Sequence, residues 1–149
     1  MVTLSEILSP KCVFLDVPGT SKKKVLQNIS QILGDFSADY SANDVFDHLI
    51  ARERLGSTGF GNGVAIPHCR LTKCGQVTGA FFKLEKPVDF DSIDNKPVDL
   101  IFVLLVPEEQ TTLHLEVLSK IAEKFSENDF LESLREGLDA NMIFQEITN

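Results

Sequence analysis

Residues 99–106, DLIFVLLV, form an almost unbroken apolar run that ends at Pro107. A strand of this kind has to be covered on both faces, because alternation would otherwise leave half of its side chains in water. That requirement selects a layered architecture. Residues 77–84 read as a second strand, and 12–15 and 64–66 as shorter ones. Ser21 is placed to cap a helix with the stripe Val25, Ile29, Ile32 and Leu33, stopping near Gly34. Asn43 caps a second helix, in which Val45, Phe46, Leu49 and Ile50 face inward. Asp44 and Asp47 suit its positive end, Arg52 and Arg54 its negative end, and Gly56 its stop. Leu4, Ile7 and Leu8 suggest a short opening helix. Thr111 or Thr112 opens a later one with Leu113, Val117, Ile121 and Phe125 on one side, and two more helices lie near 128–138 and 140–147. Strands mixed with amphipathic helices predict one α/β domain over residues 1–149, with helices on both faces of a sheet.

A chain of 149 residues buries roughly 70% of its unfolded surface without staples. No apolar run approaches the roughly 20 residues that cross a bilayer, so membrane insertion is not expected. The N-terminus lacks the basic start, apolar core and small-residue site of an export signal, which makes the cytoplasm the expected compartment. Cys12, Cys69 and Cys74 are few and odd in number, which suits reduced thiols. A formal net charge of −8 argues against nucleic acid as a partner, since phosphate contacts need clustered Lys and Arg. Lys22, Lys23 and Lys24 sit at the positive end of a helix and read as a solvated charged turn.

The loop GSTGFGNG (56–63) leads through Val64, Ala65 and Ile66 to Pro67 and His68. Its four glycines let the backbone take positive φ and approach a ligand, while Pro67 has no N–H and interrupts regular pairing. His68 is therefore expected at the exposed carboxyl end of a strand. His114 falls in the first turn of the helix after the long apolar strand. If the two strands run parallel, both histidines share the sheet edge where open α/β sheets bind ligands, a place rich in backbone donors that suits an anion. A phosphoryl group needs an in-line nucleophile, donors for its equatorial oxygens and positive charge. His68 can be the nucleophile, His114 a donor to the oxygens, and Arg52 or Arg54 the planar fork that grips them.

Each assignment has a plainer rival. His114 alone reads as a surface or core histidine, His48 as structural, and Arg54 as serving the helix dipole; for Arg52 both readings stay open. The glycine run lacks the GK[ST] ending of a P-loop and follows a helix, against the dinucleotide fingerprint. No CxxC or HxxxH spacing supports zinc on His68, Cys69, Cys74 and His114. Asp89, Asp91, Asp94 and Asp99 lie around a turn, where Asp favours local backbone hydrogen bonds.

The run from Gly56 to His68, with Arg52-Glu53 before it and FDSIDNKPVDL (90–100), LLVP (104–107) and His114-Leu115 after it, resembles the enzyme IIA domains of the mannitol/fructose/nitrogen-regulatory class of the bacterial phosphotransferase system. The resemblance covers nearly the whole chain and implies a mixed β-sheet flanked by helices. It implies that His68 is phosphorylated by a phosphohistidine on an HPr-type carrier, with His114 the second active-site histidine and Arg52 the active-site arginine. No bound cofactor or metal is implied. GSTGFGNG and IDNKPV look most like the nitrogen-regulatory branch, whose phosphorylation state is read by regulatory protein targets linked to nitrogen metabolism and potassium homeostasis. Two alternatives stand beside it: a sugar-transport subtype that hands phosphate to an enzyme IIB for mannitol or fructose, and a binding-only regulator that is never phosphorylated. Relatives usually carry glycine after the active histidine, where this chain has Cys69. A side chain there could narrow a partner's approach or, if oxidised, obstruct the site. Tolerance of a small residue is the reading adopted.

Overall fold

The computed structural model describes residues 3–72, 74–109 and 113–149, with Leu113 and His114 described by backbone alone. Its centre is β6 (Val98–Pro107), buried at every position from Leu100 to Pro107. Ile101, Val103 and Leu105 enter one core cluster, and Leu100, Phe102, Leu104 and Val106 enter another on the opposite face. Burying such a side chain contributes about 1.5–3 kcal/mol, more than the ~1 kcal/mol spread of strand propensities. Burial on both faces, rather than local preference, fixes this strand in the middle.

In chain order the other elements are α1 (Leu4–Ile7), β1 (Leu8–Val17), α2 (Lys22–Phe36), α3 (Ala42–Leu55), β2 (Gly59–Gly61), β3 (Val64–Ala65), β4 (His68–Leu71) and β5 (Thr78–Val88). After β6 come α4 (Leu113–Lys124), α5 (Asn128–Glu136) and α6 (Ala140–Thr148). The sheet runs β1-β5-β6-β3-β2, with β4 also on β6. β1 is parallel to β5, β5 antiparallel to β6, and β3 and β4 parallel to β6. It is a mixed sheet. Val25, Leu26, Ile29 and Leu33 of α2 and Val45 and Leu49 of α3 cover one face. Ile7, Val117, Ile121, Leu131, Leu134, Ile143 and Ile147, from α1, α4, α5 and α6, cover the other together with Phe125 just after α4. Among the described residues no helix is long and apolar enough to cross a membrane.

Several local expectations are corrected. Ser21 does cap α2, accepting from the Lys24 N–H at 3.2 Å, but the helix continues past Gly34 to Phe36. Gly34 lets α3 approach, since a Cβ there would lie 2.6 Å from the Ala42 nitrogen. The cap of α3 is Ser41, not Asn43, in a reciprocal box with Asp44; an acidic residue three positions after a serine is the signal that marks it. β1 reaches well beyond residues 12–15, held by its parallel pairing to β5. Asp99 lies in β6, as the strand reading of 99–106 has it, but binds Arg135 rather than making the local turn contact expected of it. The expected opening of the later helix at Thr111 or Thr112 lies outside the described residues.

The Lys22 to Lys24 turn is not uniformly solvated. Lys22 Nζ pairs with Glu53 Oε2 at 2.8 Å, lies 3.6 Å from an oxygen of Asp91, and sits 5.6 Å from the centre of the Phe90 ring. The charge that conflicts with the α2 dipole is thus satisfied across space by a carboxylate of α3.

Candidate functional site

Asn62 and Gly63 make a two-residue hairpin between β2 and β3, with φ of 58° and 81°. Asn-Gly is the favoured sequence for a turn that needs positive φ at both positions. The Gly63 carbonyl accepts from the Asp99 and Leu100 N–H groups, both at 3.0 Å. A Cβ on Gly63 would lie 2.4 Å from Arg135 Nη2 and 2.7 Å from Asp99 Oδ1, so the Arg135–Asp99 pair, 2.8 Å from Nε to Oδ2, clamps the turn. Asp94 accepts from the Asn62 N–H at 3.0 Å and the Lys96 N–H at 3.1 Å. These backbone donors hold its carboxyl below the ordinary value.

The other end of the loop is fixed by Glu53. Its buried carboxylate accepts from the Thr58 N–H at 3.0 Å and from the Thr58 hydroxyl, besides binding Lys22. The glycine run is therefore a tethered segment whose ends are tied to helices α2, α3 and α5 through Lys22, Glu53 and Arg135.

His68 does not stand past the end of a strand. It is the first residue of β4, opposite Leu104, and the register that pairs Val64 with Leu100 continues unchanged through Ile66 and Pro67. Pro67 costs a donor but not the alignment, since its carbonyl accepts from the Leu104 N–H at 3.0 Å. The short β2 explains the site. The Ile66 N–H still bonds the Thr58 carbonyl at 3.0 Å, but β2 goes no further, and the Ile66 carbonyl takes the His68 ring through Nδ1 at 2.8 Å. Arg52, in the last turn of α3, places Nε 3.3 Å from His68 Nε2 and Nη1 2.9 Å from the Gly56 carbonyl.

These contacts determine the tautomer. A carbonyl can only accept, so Nδ1 carries the proton; a guanidinium can only donate, so Nε2 presents its lone pair. In that tautomer the Nε2 lone pair lies beside a permanent cation. His68 is half-buried and borders a cleft of about 430 Å³ whose walls include His48, Arg52, Leu55, Cys69 and Arg70. Of the residues singled out in the sequence, the structure brings His68 and Arg52 together. The His114 side chain lies outside the described residues, and its backbone sits in the first turn of α4. Arg54 is exposed on α3, and His48 ties Nδ1 to the Asp44 carbonyl at 2.7 Å.

Cys69 turns away from His68 into the core shared with α2 and α3, leaving 9% of its surface exposed. Burial, and to a lesser degree the neighbouring Cys74, pushes its thiol up to about 12. A protonated thiol is a poor nucleophile and a poor target for oxidation, so this side chain acts chiefly as core. The sequence reading missed the Glu53 anchor, although an acidic residue beside Arg52 and five before Thr58 was visible, and it missed Arg70, two strand positions after His68.

A mixed sheet carrying a histidine and an arginine on one cleft defines a class of proteins that the comparisons identify. Residues 6–149 match the family described as phosphoenolpyruvate-dependent sugar phosphotransferase system, EIIA 2, and the chain belongs to that family. Among its relatives is the nitrogen regulatory protein of Pseudomonas aeruginosa, 47% identical over 145 residues, which span 97% of this chain and 94% of that protein. The nitrogen regulatory protein of Escherichia coli K12 is 40% identical over 147 residues, 98% and 90% of the two chains. The crystal structure of nitrogen regulatory protein IIA-Ntr from Neisseria meningitidis superposes with a TM-score of 0.91 at 48% identity, covering 97% of this chain and 99% of that one. Mannitol IIA of Escherichia coli, at 15% identity and a TM-score of 0.78 over 93% and 97% of the two chains, shares the fold.

Proposed function

We propose that this chain is a phosphocarrier of the nitrogen-regulatory phosphotransferase system, taking a phosphoryl group on His68 Nε2 from the phosphohistidine of an HPr-type carrier and acting on regulatory proteins through its phosphorylation state. The observation that carries the reading is the pair of contacts on the His68 ring: Nδ1 held by the Ile66 carbonyl, and Nε2 3.3 Å from Arg52 Nε. Membership of the enzyme IIA family and the names of its relatives support it.

In this reaction the Nε2 lone pair forms the new N–P bond while the donor's N–P bond breaks, its electron pair returning to the donor ring nitrogen. A donor ring that enters protonated at its other nitrogen leaves as neutral imidazole, and His68 becomes imidazolium. The Ile66 carbonyl stabilises that cation by accepting its Nδ1–H. Arg52 loses its acceptor on Nε2 at the same moment and is free to donate to the equatorial oxygens, where charge is spread in phosphoryl transfer. His114 is assigned the second donor. No cofactor takes part. A dianion added at one cleft changes docking by repulsion or new hydrogen bonds without refolding the domain.

Incubation with phosphoenolpyruvate, enzyme I and an HPr-type carrier in the cytoplasmic redox state tests it. The expected product is an acid-labile phosphate on the His68 peptide, bonded to Nε2 and absent from His68→Ala. An acid-stable phosphate on serine refutes it, and efficient transfer onward to a purified mannitol or fructose enzyme IIB moves the chain to the sugar-transport branch.

A further inference from the structure

Arg70 is the charged group near the reacting nitrogen that the mechanism above leaves unused. It lies two residues after His68 on β4, where Cys69 and Leu71 are buried and His68 and Arg70 take the alternate positions. Residues two apart on a strand sit about 6.6 Å from one another on the same side, within the reach of an arginine side chain. Both border the same cleft.

Three other basic groups around the loop are engaged. Lys22 is paired with Glu53, Arg135 with Asp99, and Arg52 donates to His68 and to the Gly56 carbonyl. Arg70 is exposed, and among the described residues it makes no ion pair or side-chain hydrogen bond. None of the described residues lining the cleft is a carboxylate, in a chain with 22 acidic and 14 basic residues. An uncommitted guanidinium bordering a cleft without carboxylates favours an anion there.

That anion is available in the proposed reaction. A phosphoryl group on Nε2 presents three oxygens and close to two negative charges. Arg52, still tied through Nη1 to Gly56, leaves oxygen lone pairs unmet. We propose that Arg70 is a further phosphoryl-binding residue beside Arg52 and His114: uncommitted while His68 is bare, its guanidinium turns into the cleft and pairs with the phosphoryl oxygens once they are on Nε2. This rests on the reading of His68 as the phosphoryl acceptor. No bond is made or broken in the step; an ion pair forms in the product and not in the free protein, so it biases the transfer equilibrium towards the phosphorylated chain.

The test is the equilibrium constant for phosphoryl exchange with the HPr-type carrier, measured for the wild type, Arg70→Gln and Arg70→Lys, together with the Arg70 Nε–H signal in NMR spectra before and after phosphorylation. Arg70→Gln is expected to shift the equilibrium about tenfold towards the carrier, as loss of a charge-assisted hydrogen bond at an exposed site would. Arg70→Lys should recover part of this, and the wild-type Nε–H signal should move on phosphorylation while the variants' melting temperatures stay level. An unchanged equilibrium and an unmoved signal, with His68 still phosphorylated, overturn the role of Arg70 alone. A raised KM for the carrier at constant equilibrium makes Arg70 a docking residue and also overturns it. Failure of the wild-type chain to take phosphate on His68 removes the phosphocarrier reading itself.

Discussion

Lys22 Nζ lies 2.8 Å from Glu53 Oε2, joining the first turn of α2 to the last turn of α3 across the base of the glycine loop. Glu53 is almost fully buried, and its carboxylate also holds the Thr58 N–H. Removing one partner of such a pair strands the other charge and a backbone donor. Glu53→Ala is therefore expected to cost about 3 kcal/mol or more in urea unfolding. Glu53→Gln, which keeps an acceptor, should cost less; a loss within about 0.5 kcal/mol for Glu53→Ala, the range of an ordinary surface change, would show that the network adds little.

Ser92 presents the opposite case. Its hydroxyl is buried and, among the described residues, has no hydrogen-bond partner, while a Cβ on Gly59 would fall on its oxygen. An unpaired buried hydroxyl costs about 1–3 kcal/mol, so Ser92→Ala should leave stability level or raise it by about 1 kcal/mol, read as an increase in the urea midpoint at constant m.

Gly63→Ala places a side chain at φ of 81° and into the Arg135–Asp99 pair. Strain of this type is worth about 1–3 kcal/mol, and the collision adds to it. The expected result is a lower melting temperature. Truncating Arg135 in the same chain should recover part of the loss, since it removes the atom in the way.

Cys69 carries a pH dependence of stability. Its folded value of about 12 lies above the ordinary thiol value of 9.0, so above pH 9 the unfolded chain releases a proton that the folded chain retains. The stabilisation is fully present below pH 9 and is lost as pH rises towards 12. Cys69→Ala should flatten that alkaline decline in urea titrations, and the native wild-type thiol should resist alkylation at pH 7.5 until the protein is unfolded.

Arg52→Ala and Arg52→Lys both remove the planar donor from His68 Nε2. On the phosphocarrier reading, single-turnover phosphorylation should slow about 100-fold, the loss expected when one donor to a developing charge is deleted. Lysine should restore little of it, because its point charge cannot hold the Gly56 carbonyl and the reacting group together. A rate within threefold of wild type would remove Arg52 from the chemistry.

The layered α/β plan and the central strand were legible because a run such as 99–106 has only one stable environment. The Asn62–Gly63 hairpin and the Ser41–Asp44 cap were equally legible by local rules but lay beside the louder signals of Gly56 and Asn43. The partners of Lys22 were not legible, because its carboxylate is 31 residues away in sequence and joins it only when α2 and α3 pack. The resemblance to the family suggested Arg52 for the site, but its distance from His68 and the roles of the two ring nitrogens were not legible. They depend on β2 beginning only at Gly59, opposite Ala65, a boundary that no propensity fixes.

His68 and Cys69 share a peptide bond, yet the alternation of β4 gives them different neighbours and different chemical constraints. Selection can reshape the sulfur's surroundings for durability while the imidazole's are reshaped for chemistry in the cleft. A substitution at one position then need not be compensated at the other, and the pair can drift apart over evolutionary time without the chain losing its fold.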